Sequence, residues 1–443
     1  MRKIVEDSRE TLVGGEYDVL VVGGGAAGLA ASIAAARSGA RTLLLERYGF
    51  LGGMATAGMV GAFCGFFTPG SQKKTIVGGI ARDLLERLKY RGGLSEKRTS
   101  KVNTKVAVYH YNPEVFKFVA EEAAVQGGVE LLFHTLVVEV IWEIKGSHLS
   151  GVIVENKSGR FAFLSRIIID ATGDGDMAAG AGAPYEIGDG KGTVQSMTTM
   201  FRMAHVDVEK IRDLDLQALR DKLQEAREKK LFDFSRTDPV VFHAPPFGIV
   251  SANITGIPNL SGIDAQELTR AEIEGRRQIF EYLNFFRTCE PGFKDAEVCC
   301  IAPQVGVRET RRILGDYILE ENDVLKGKKF DDAIAMGAWP VEFHDPATGR
   351  IQWKFLEKED DYYTIPLRCL IPRNLDDLLV AGRCISATHI AQASSRVIGQ
   401  ALATGEAAGV LASQSAQLKQ NPREIDPTEV RRELIQQGAI LEL

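Results

Sequence analysis

Between Asp18 and Arg47 apolar runs and small residues succeed one another in an order that predicts a β-α-β unit. Asp18 to Val22 (DVLVV) is apolar almost throughout, the mark of a short strand covered on both faces rather than of a half-exposed one. A glycine cluster follows. Leu29 to Arg37 then reads as an alanine-rich helix with Gly39 as its stop, and "ARTLLLE" supplies a second strand ending on Glu46.

The same apolar patterning recurs downstream. In "YNPEVFKFVAEEAAVQGGVELLFHTLVVEVIWE" a helix with Pro113 in its first turn leads into strands, and in "GVIVENKSGRFAFLSRIIID" Lys157-Ser158-Gly159 marks a hairpin turn. Ile167 to Ile169 is an apolar strand running into Ala171-Thr172-Gly173, and "DDLLVAGRCIS" is another running into Gly382 and Arg383. Val397 to about Leu418 predicts a helix whose Gly399, Ala401, Gly405, Ala408 and Gly409 allow close approach to a neighbour. From about 190 to 370 the pattern changes: "DVEKIRDLDLQALRDKLQEAREKKL" and "ELTRAEIEGRRQIFEYLNFFR" are amphipathic helices, separated by a loop punctuated with Gly and Pro.

Composition narrows the functional classes. The 443 residues, 45% hydrophobic and 25% charged, suit a globular protein with two or three cores. A net charge of -6 carries no footprint for nucleic acid or an anionic membrane, so a small-molecule substrate is expected. No apolar run of signal-peptide or membrane-span length occurs, which points to the cytoplasm. The six cysteines form no CxxC pair, and the histidines lack metal-site spacing, so no metal is expected.

The glycines carry the first chemistry. Gly23, Gly25 and Gly28, with Ala26 and Ala27 between them, fit G-x-G-x-x-G: a tight turn, room for a pyrophosphate, and close helix-to-strand packing. Glu46, about 20 residues on, is placed to accept both hydroxyls of an adenosine ribose, and Arg47 follows it. The ligand is therefore NAD or FAD. Gly52, Gly53, Met54 and Ala55 form a small-residue segment where backbone can lie against a bulky cofactor, and the glycine turns at 171–173 and 382–383 bring two further strand ends to the ligand. These favour the longer molecule, FAD. Ser395 and Arg396 at the start of the last long helix, with Gly399, would present positive dipole to a reduced flavin.

The stretches "VVGGGAAGLAASIAAARSGARTLLLERYGFLGGMATAG", "YNPEVFKFVAEE", "DATGDGDMAAGAGAPYE", "APQVGVRETRRILGDY" and "LLVAGRCISATHIAQASSRVIGQALATGEAAG" together resemble the FAD-dependent oxidoreductases of the glutathione-reductase-like superfamily. The resemblance implies noncovalent FAD in a two-domain flavoprotein and places Val137 or Val138 against the adenine. It supplies no substrate. The chain departs from neighbouring families in lacking a second glycine fingerprint for NAD(P)H, a redox CxxC, a histidine tether after Glu46 and the cysteine clusters of the heterodisulfide reductase flavoprotein.

The expected fold is α/β: a Rossmann-like FAD-binding domain, with a parallel sheet and a β-meander, from residues 1–60, 111–190 and 371–443, and a mixed α+β substrate domain from 61–110 and 191–370. His389, between the third flavin strand and the last long helix, is the leading catalytic base or hydrogen-bond donor, with a structural hydrogen bond as the equal alternative. Arg308, Arg311 and Arg312 fall at i, i+3 and i+4 on an expected helix; internal pairing with Asp316 and Glu309 accounts for Arg312 and leaves Arg308 and Arg311 without local partners, of which Arg308 is favoured to hold an anion. Tyr109, His110 and Cys64 are further candidates, each with a core-packing alternative. The function expected is hydride exchange between noncovalent FAD and a small, carboxylate-bearing substrate, with an external electron acceptor or donor; the alternative is a flavin-carrying electron-transfer subunit working with a separate iron-sulfur protein.

Overall fold

The computed structural model describes residues 4, 9–100, 102–143, 148–212, 214–243, 248–347 and 350–443, with His243 described in its backbone only. Most of the segment before Arg9, part of the expected N-terminal domain, lies outside the described residues.

Five parallel strands of the seven-stranded main sheet run in the order Glu130–Leu132, Thr42–Leu45, Leu12–Val22, Gly159–Asp170, Leu378–Val380. Their apolar residues are buried because helices cover the sheet, which accounts for runs without alternation. The first strand begins at Leu12, not Asp18: Leu12 to Tyr17 is mostly exposed, so no apolar run marks it, and it is held by pairing with Phe161–Ser165. Thr135–Trp142, Leu149–Asn156 and Gly159–Asp170 form the antiparallel meander, with Asn156 opposite Gly159 across the Lys157-Ser158 turn.

The helices Ala26–Arg37 and Ile398–Leu418 pack face to face, and their small residues explain how. A Cβ on Gly405 would fall on the backbone of Ala27, and one on Gly409 on the Ala31 carbonyl.

The first core extends beyond the expected FAD segments. Phe63, Phe66 and Leu84 from 61–110, and Met336, Tyr363 and Ile365 from 191–370, are buried in the same cluster as Leu29 and Ile33. The reason is the C-terminal helix, against which the helix Gly79–Tyr90 and the strand Ala333–Gly337 both pack. A separate core lies under the antiparallel sheet Val240–His243, Val250–Asn253, Phe201–Ala204, Glu297–Ile301, covered by the helices Leu216–Glu228 and Ala265–Cys289.

One buried acid in the first core gives stability a pH dependence. Glu406 accepts the Ile80 N–H at 3.1 Å through Oε2, while its buried Oε1 has no hydrogen bond among the described residues. Burial pushes its carboxyl up to about 8, against smaller opposing effects of the Ile80 amide, Arg37 and Arg82. The folded state thus holds this proton more tightly than the unfolded chain, whose glutamate titrates near ~4.3. The stabilisation is complete below that value and is lost as pH rises through about 8, at up to about 1.4 kcal/mol per pH unit. Thermal unfolding followed across this range should show the slope, and Glu406→Gln should flatten it; equal slopes in both proteins would contradict the assignment.

Candidate active site

The turn after the first strand shows three glycines with three different physical roles. Gly23 has φ +97°, and a Cβ there would lie 2.6 Å from the Ala171 carbonyl oxygen. At Gly28 a Cβ would run into the Gly23 carbonyl, so helix and strand approach as closely as they do only without one. Gly25 differs: a Cβ there would have only the Gly53 Cα near it, at 3.8 Å, and otherwise faces open space. That space is a long cavity.

Its floor includes Gly23, Gly25, Ala26, Ala27 and Glu46, and its walls carry Arg47, Gly52, Gly53, Met54, Ala55, Val137, Ala171, Thr172, Gly173, Gly382, Arg383 and Arg396. Glu46 is fixed before any ligand arrives: Oε2 accepts the Gly24 N–H at 2.6 Å and Oε1 the Tyr48 N–H at 2.9 Å. Burial raises its pKa, and the two amides oppose the rise. At the far strand end Asp170 accepts from the amides of Thr172, Met177 and Ala178 at 3.1, 2.8 and 2.9 Å, pinning the 171–173 turn to the start of the next helix. Its burial lifts the carboxyl to about 6, with the Ala178 amide and the Thr172 hydroxyl and amide opposing. Arg383 is held by Asp174 at 2.7 Å.

A second cavity adjoins the first through Met54, Arg383, Arg396 and Ile398, which line both. Most of its wall is apolar, but one group of charges is buried in it. Arg308 Nη1 donates to the Ser196 carbonyl and, at 2.9 Å, to Thr198 Oγ1; its other N–H donors form no hydrogen bond among the described residues. Arg396 Nη2 donates to Gln195 Oε1 at 3.3 Å and to the Glu342 carbonyl at 3.2 Å. Behind the wall Arg236 donates to Asn253 Oδ1 at 2.9 Å, and its buried Nε and Nη2 have no partner among the described residues. Burial, then Arg396 and Arg236, push the Arg308 guanidinium well below its usual pKa, the signature of positive charges crowded in a dry place.

The acid facing these arginines is Glu342. It lies two residues before His344 on the strand Val341–His344, so both side chains project from one face. Glu342 Oε1 meets His344 Nε2 at 3.0 Å, and Oε2 accepts the Trp339 Nε1–H at 2.9 Å. Burial alone would raise the Glu342 carboxyl, but His344, Arg396 and the Trp339 donor outweigh it and bring it down to about 2. Burial and then Arg308 push His344 well below the ordinary histidine value. The pair is therefore a carboxylate and a neutral imidazole. Nε2 carries the proton shared with Glu342, which leaves the Nδ1 lone pair as the basic position.

The sequence profile of the FAD dependent oxidoreductase family matches residues 18–434. The chain belongs to that family. Among solved structures it is similar to a geranylgeranyl bacteriochlorophyll reductase-like protein from Thermoplasma acidophilum (15% identity over 96% of this chain and 84% of that one, TM-score 0.48). It is also similar to the flavin-dependent brominase Bmp2 (15%, 94% and 83%, 0.49) and to p-nitrophenol 4-monooxygenase from Pseudomonas putida (12%, 95% and 84%, 0.49). No curated protein matches the chain.

The cofactor of this oxidoreductase is FAD, and the long cavity fits it. The opening at Gly25 is the cradle a Cβ would fill, Glu46 is preset for ribose hydroxyls, and Val137 lies in the wall beside Glu46 on the meander side. Gly28 serves packing and does not line the cavity. Ser395 and Gly399 line neither cavity: Ser395 ends the short helix His389–Ser395, and Gly399 packs on the Cys64–Gly65 backbone, where its N–H donates to the Cys64 carbonyl. The last long helix starts at Ile398 after Val397, so the Ser-Ser-Arg segment precedes its N-terminus.

His389 takes its structural alternative, and the expected arginine helix does not form. His389 lines neither cavity; its Nδ1 is 2.7 Å from Glu309 Oε1, and Glu309 is also paired with Arg312, so the ring is engaged behind the wall. Arg308, Arg311 and Arg312 do not share a helix: Arg311–Ile313 is a strand paired with Tyr185–Ile187, and Arg308 lies in the extended segment before it. Strand pairing separates the three guanidiniums. Arg311 meets Asp176 and Arg312 meets Glu309 and Glu186, whereas Asp316 pairs with Arg423 instead of Arg312. Arg308 reaches the cavity, as do His110 and Cys64; Tyr109 packs against Phe66 and Phe67. Sequence reasoning missed Arg236, Trp339, Glu342 and His344. The i, i+2 alternation of Glu342 and His344 in "PVEFHD" was the available signal, since in a strand it puts an acid and a histidine on one face.

Among the described residues no helix is long and apolar enough to cross a membrane.

Proposed function

We propose that this oxidoreductase exchanges two electrons between FAD and a small organic anion, with Arg308 and Arg396 holding the anion and His344 moving the proton. The observation that carries the reading is the charge imbalance of the inner cavity: Arg308 and Arg396 line it, Arg236 lies behind, and Glu342 is the carboxylate in the wall that faces them. Arg383 also lines it but is neutralised by Asp174. A carboxylate entering between Arg308 and Arg396 relieves the repulsion that depresses Arg308 and fills its free donors.

FAD, when bound, supplies the two-electron chemistry. The residues of this chain do the rest. Arg308 and Arg396 orient the substrate, the apolar wall excludes water, and His344 accepts or returns a proton at Nδ1 while Glu342 stabilises the imidazolium that results.

Anaerobic mixing of the FAD-loaded protein with a panel of hydroxy acids, amino acids and other carboxylates tests the reading. Bleaching of the visible flavin band by members of the panel is expected, whereas bleaching by neutral analogues alone would contradict it. With a substrate in hand, His344→Gln should retain FAD and lower kcat by about 100-fold; an unchanged kcat would remove His344 from proton transfer. Because the free enzyme keeps His344 neutral well below the usual histidine range, kcat/KM should show no acid limb from this residue near about pH 6.5. A limb there that His344→Gln abolishes would contradict the assignment.

A further inference from the structure

Beyond the inner cavity lies a third, smaller one that the chemistry above leaves unused. It is lined by Ile211, Leu214, Leu216, Val241 and Val250, with the exposed Arg98 among its few polar neighbours. It shares Ser100, Val102, His110, Val240 and Phe242 with the inner cavity and no residue with the FAD cavity. The residues shared with the FAD side (Met54, Arg383, Arg396 and Ile398) are a disjoint set. The inner cavity is thus a passage, with the FAD cavity at one opening and the smaller, mainly apolar chamber at the other.

The partition between them is a pair of rings. His110 and Phe242 stack with centroids 4.4 Å apart at 20°, and both line the two cavities. The strand Val240–His243 supplies alternate positions to the junction: Val240 and Phe242 line both cavities, while Val241 lines the outer one alone. Buried charge is concentrated where the passage meets Arg308, Arg396 and Glu342; among the described residues the outer chamber is lined mainly by aliphatic side chains, with Arg98, Thr99, Ser100 and His110 as its polar members.

We infer that the substrate is an amphipathic anion: its charged, reacting end lies between Arg308 and Arg396, and an extended apolar body passes the His110–Phe242 pair into the outer chamber. The inference rests on the anion site proposed above and adds the class of molecule attached to the charge. A short carboxylate would leave the outer chamber to water, whereas each methylene buried there contributes about 0.8 kcal/mol. Phe242 sets the passage, and Leu216, half-buried at the start of its helix, sets the chamber's depth.

The test is a series of straight-chain carboxylates of increasing length, titrated into the FAD-loaded protein and followed by the flavin difference spectrum. Affinity should rise by about fourfold per methylene over the lengths that enter the chamber and then level off. Leu216→Trp, which fills the chamber, should erase the gain for long chains and leave short carboxylates and FAD content unchanged, so that a misfolded variant would be recognised by both controls. Phe242→Ala should shift the preference toward bulkier bodies. Short and long carboxylates binding equally well would overturn this inference while leaving the anion site standing. Binding of neutral alcohols as tightly as of carboxylates of equal length would instead overturn the anion site, with the length dependence still read independently.

Discussion

Gly28→Ala should cost the protein about 3 kcal/mol or more of stability and most of its FAD, whereas Gly25→Ala, three residues away in the same motif, should leave the apoprotein as stable as the parent. A Cβ at residue 28 meets the Gly23 carbonyl, fixed backbone that can move only if the helix Ala26–Arg37 lifts from its strand. That helix is also packed tightly on Ile398–Leu418, where Gly405 and Gly409 leave no slack. At residue 25 the backbone is ordinary extended conformation, φ -68° and ψ -173°, and the added methyl points into the space where a pyrophosphate would approach. Its effect should fall on binding, by about 100-fold in FAD affinity. Thermal unfolding without FAD and flavin titration separate the two. Equal loss of stability in both variants would mean that Gly25 also serves packing and that the cradle is misplaced.

Arg308→Gln should lower kcat/KM for the anionic substrate by about 100- to 1000-fold, because truncating one member of a buried charge pair costs about 2–5 kcal/mol. The free protein should not suffer equally. Arg308 is crowded by Arg396 and Arg236, so removing its charge relieves repulsion even as it loses the bonds to Ser196 and Thr198. The variant is therefore expected to unfold at a temperature close to the parent's, or above it, while losing anion binding. Lysine at 308 keeps the charge but not the fork of donors and should restore only part of the activity. An unchanged KM and kcat in Arg308→Gln would exclude this residue from the substrate.

Much of the cofactor site could be read from the chain because its physics is local. Gly23, Gly25, Gly28 and Glu46 belong to one strand-turn-helix-strand unit whose residues lie within 24 positions of each other, and each is constrained by backbone geometry that only certain residue types allow. The helix ending at Leu418 was legible for the same reason, its glycines and alanines announcing a close neighbour. The charged cavity is assembled otherwise. Arg308, Glu342 and Arg396 come from an extended segment, the strand Val341–His344 and the end of the short helix His389–Ser395 that packs on it, and nothing in "VGVRETRR" distinguishes a helix face from the extended segment and short strand that form. Helical spacing made three arginines look like one cluster, whereas pairing with Tyr185–Ile187 sends Arg311 and Arg312 to acids of their own. His389 stands next to the flavin strands in the sequence, but Glu309, eighty positions earlier, holds its ring, the structural alternative to a base.

An anion held between Arg308 and Arg396 would lie beside the FAD cavity, which Arg396 also lines. The most direct measurement is the visible difference spectrum of the FAD-loaded protein titrated with a small carboxylate, for the parent and Arg308→Gln side by side. A saturable perturbation of the flavin band in the parent, weakened at least about tenfold in the variant, is the predicted result. A flavin spectrum indifferent to carboxylates, or perturbed identically in both proteins, would contradict it.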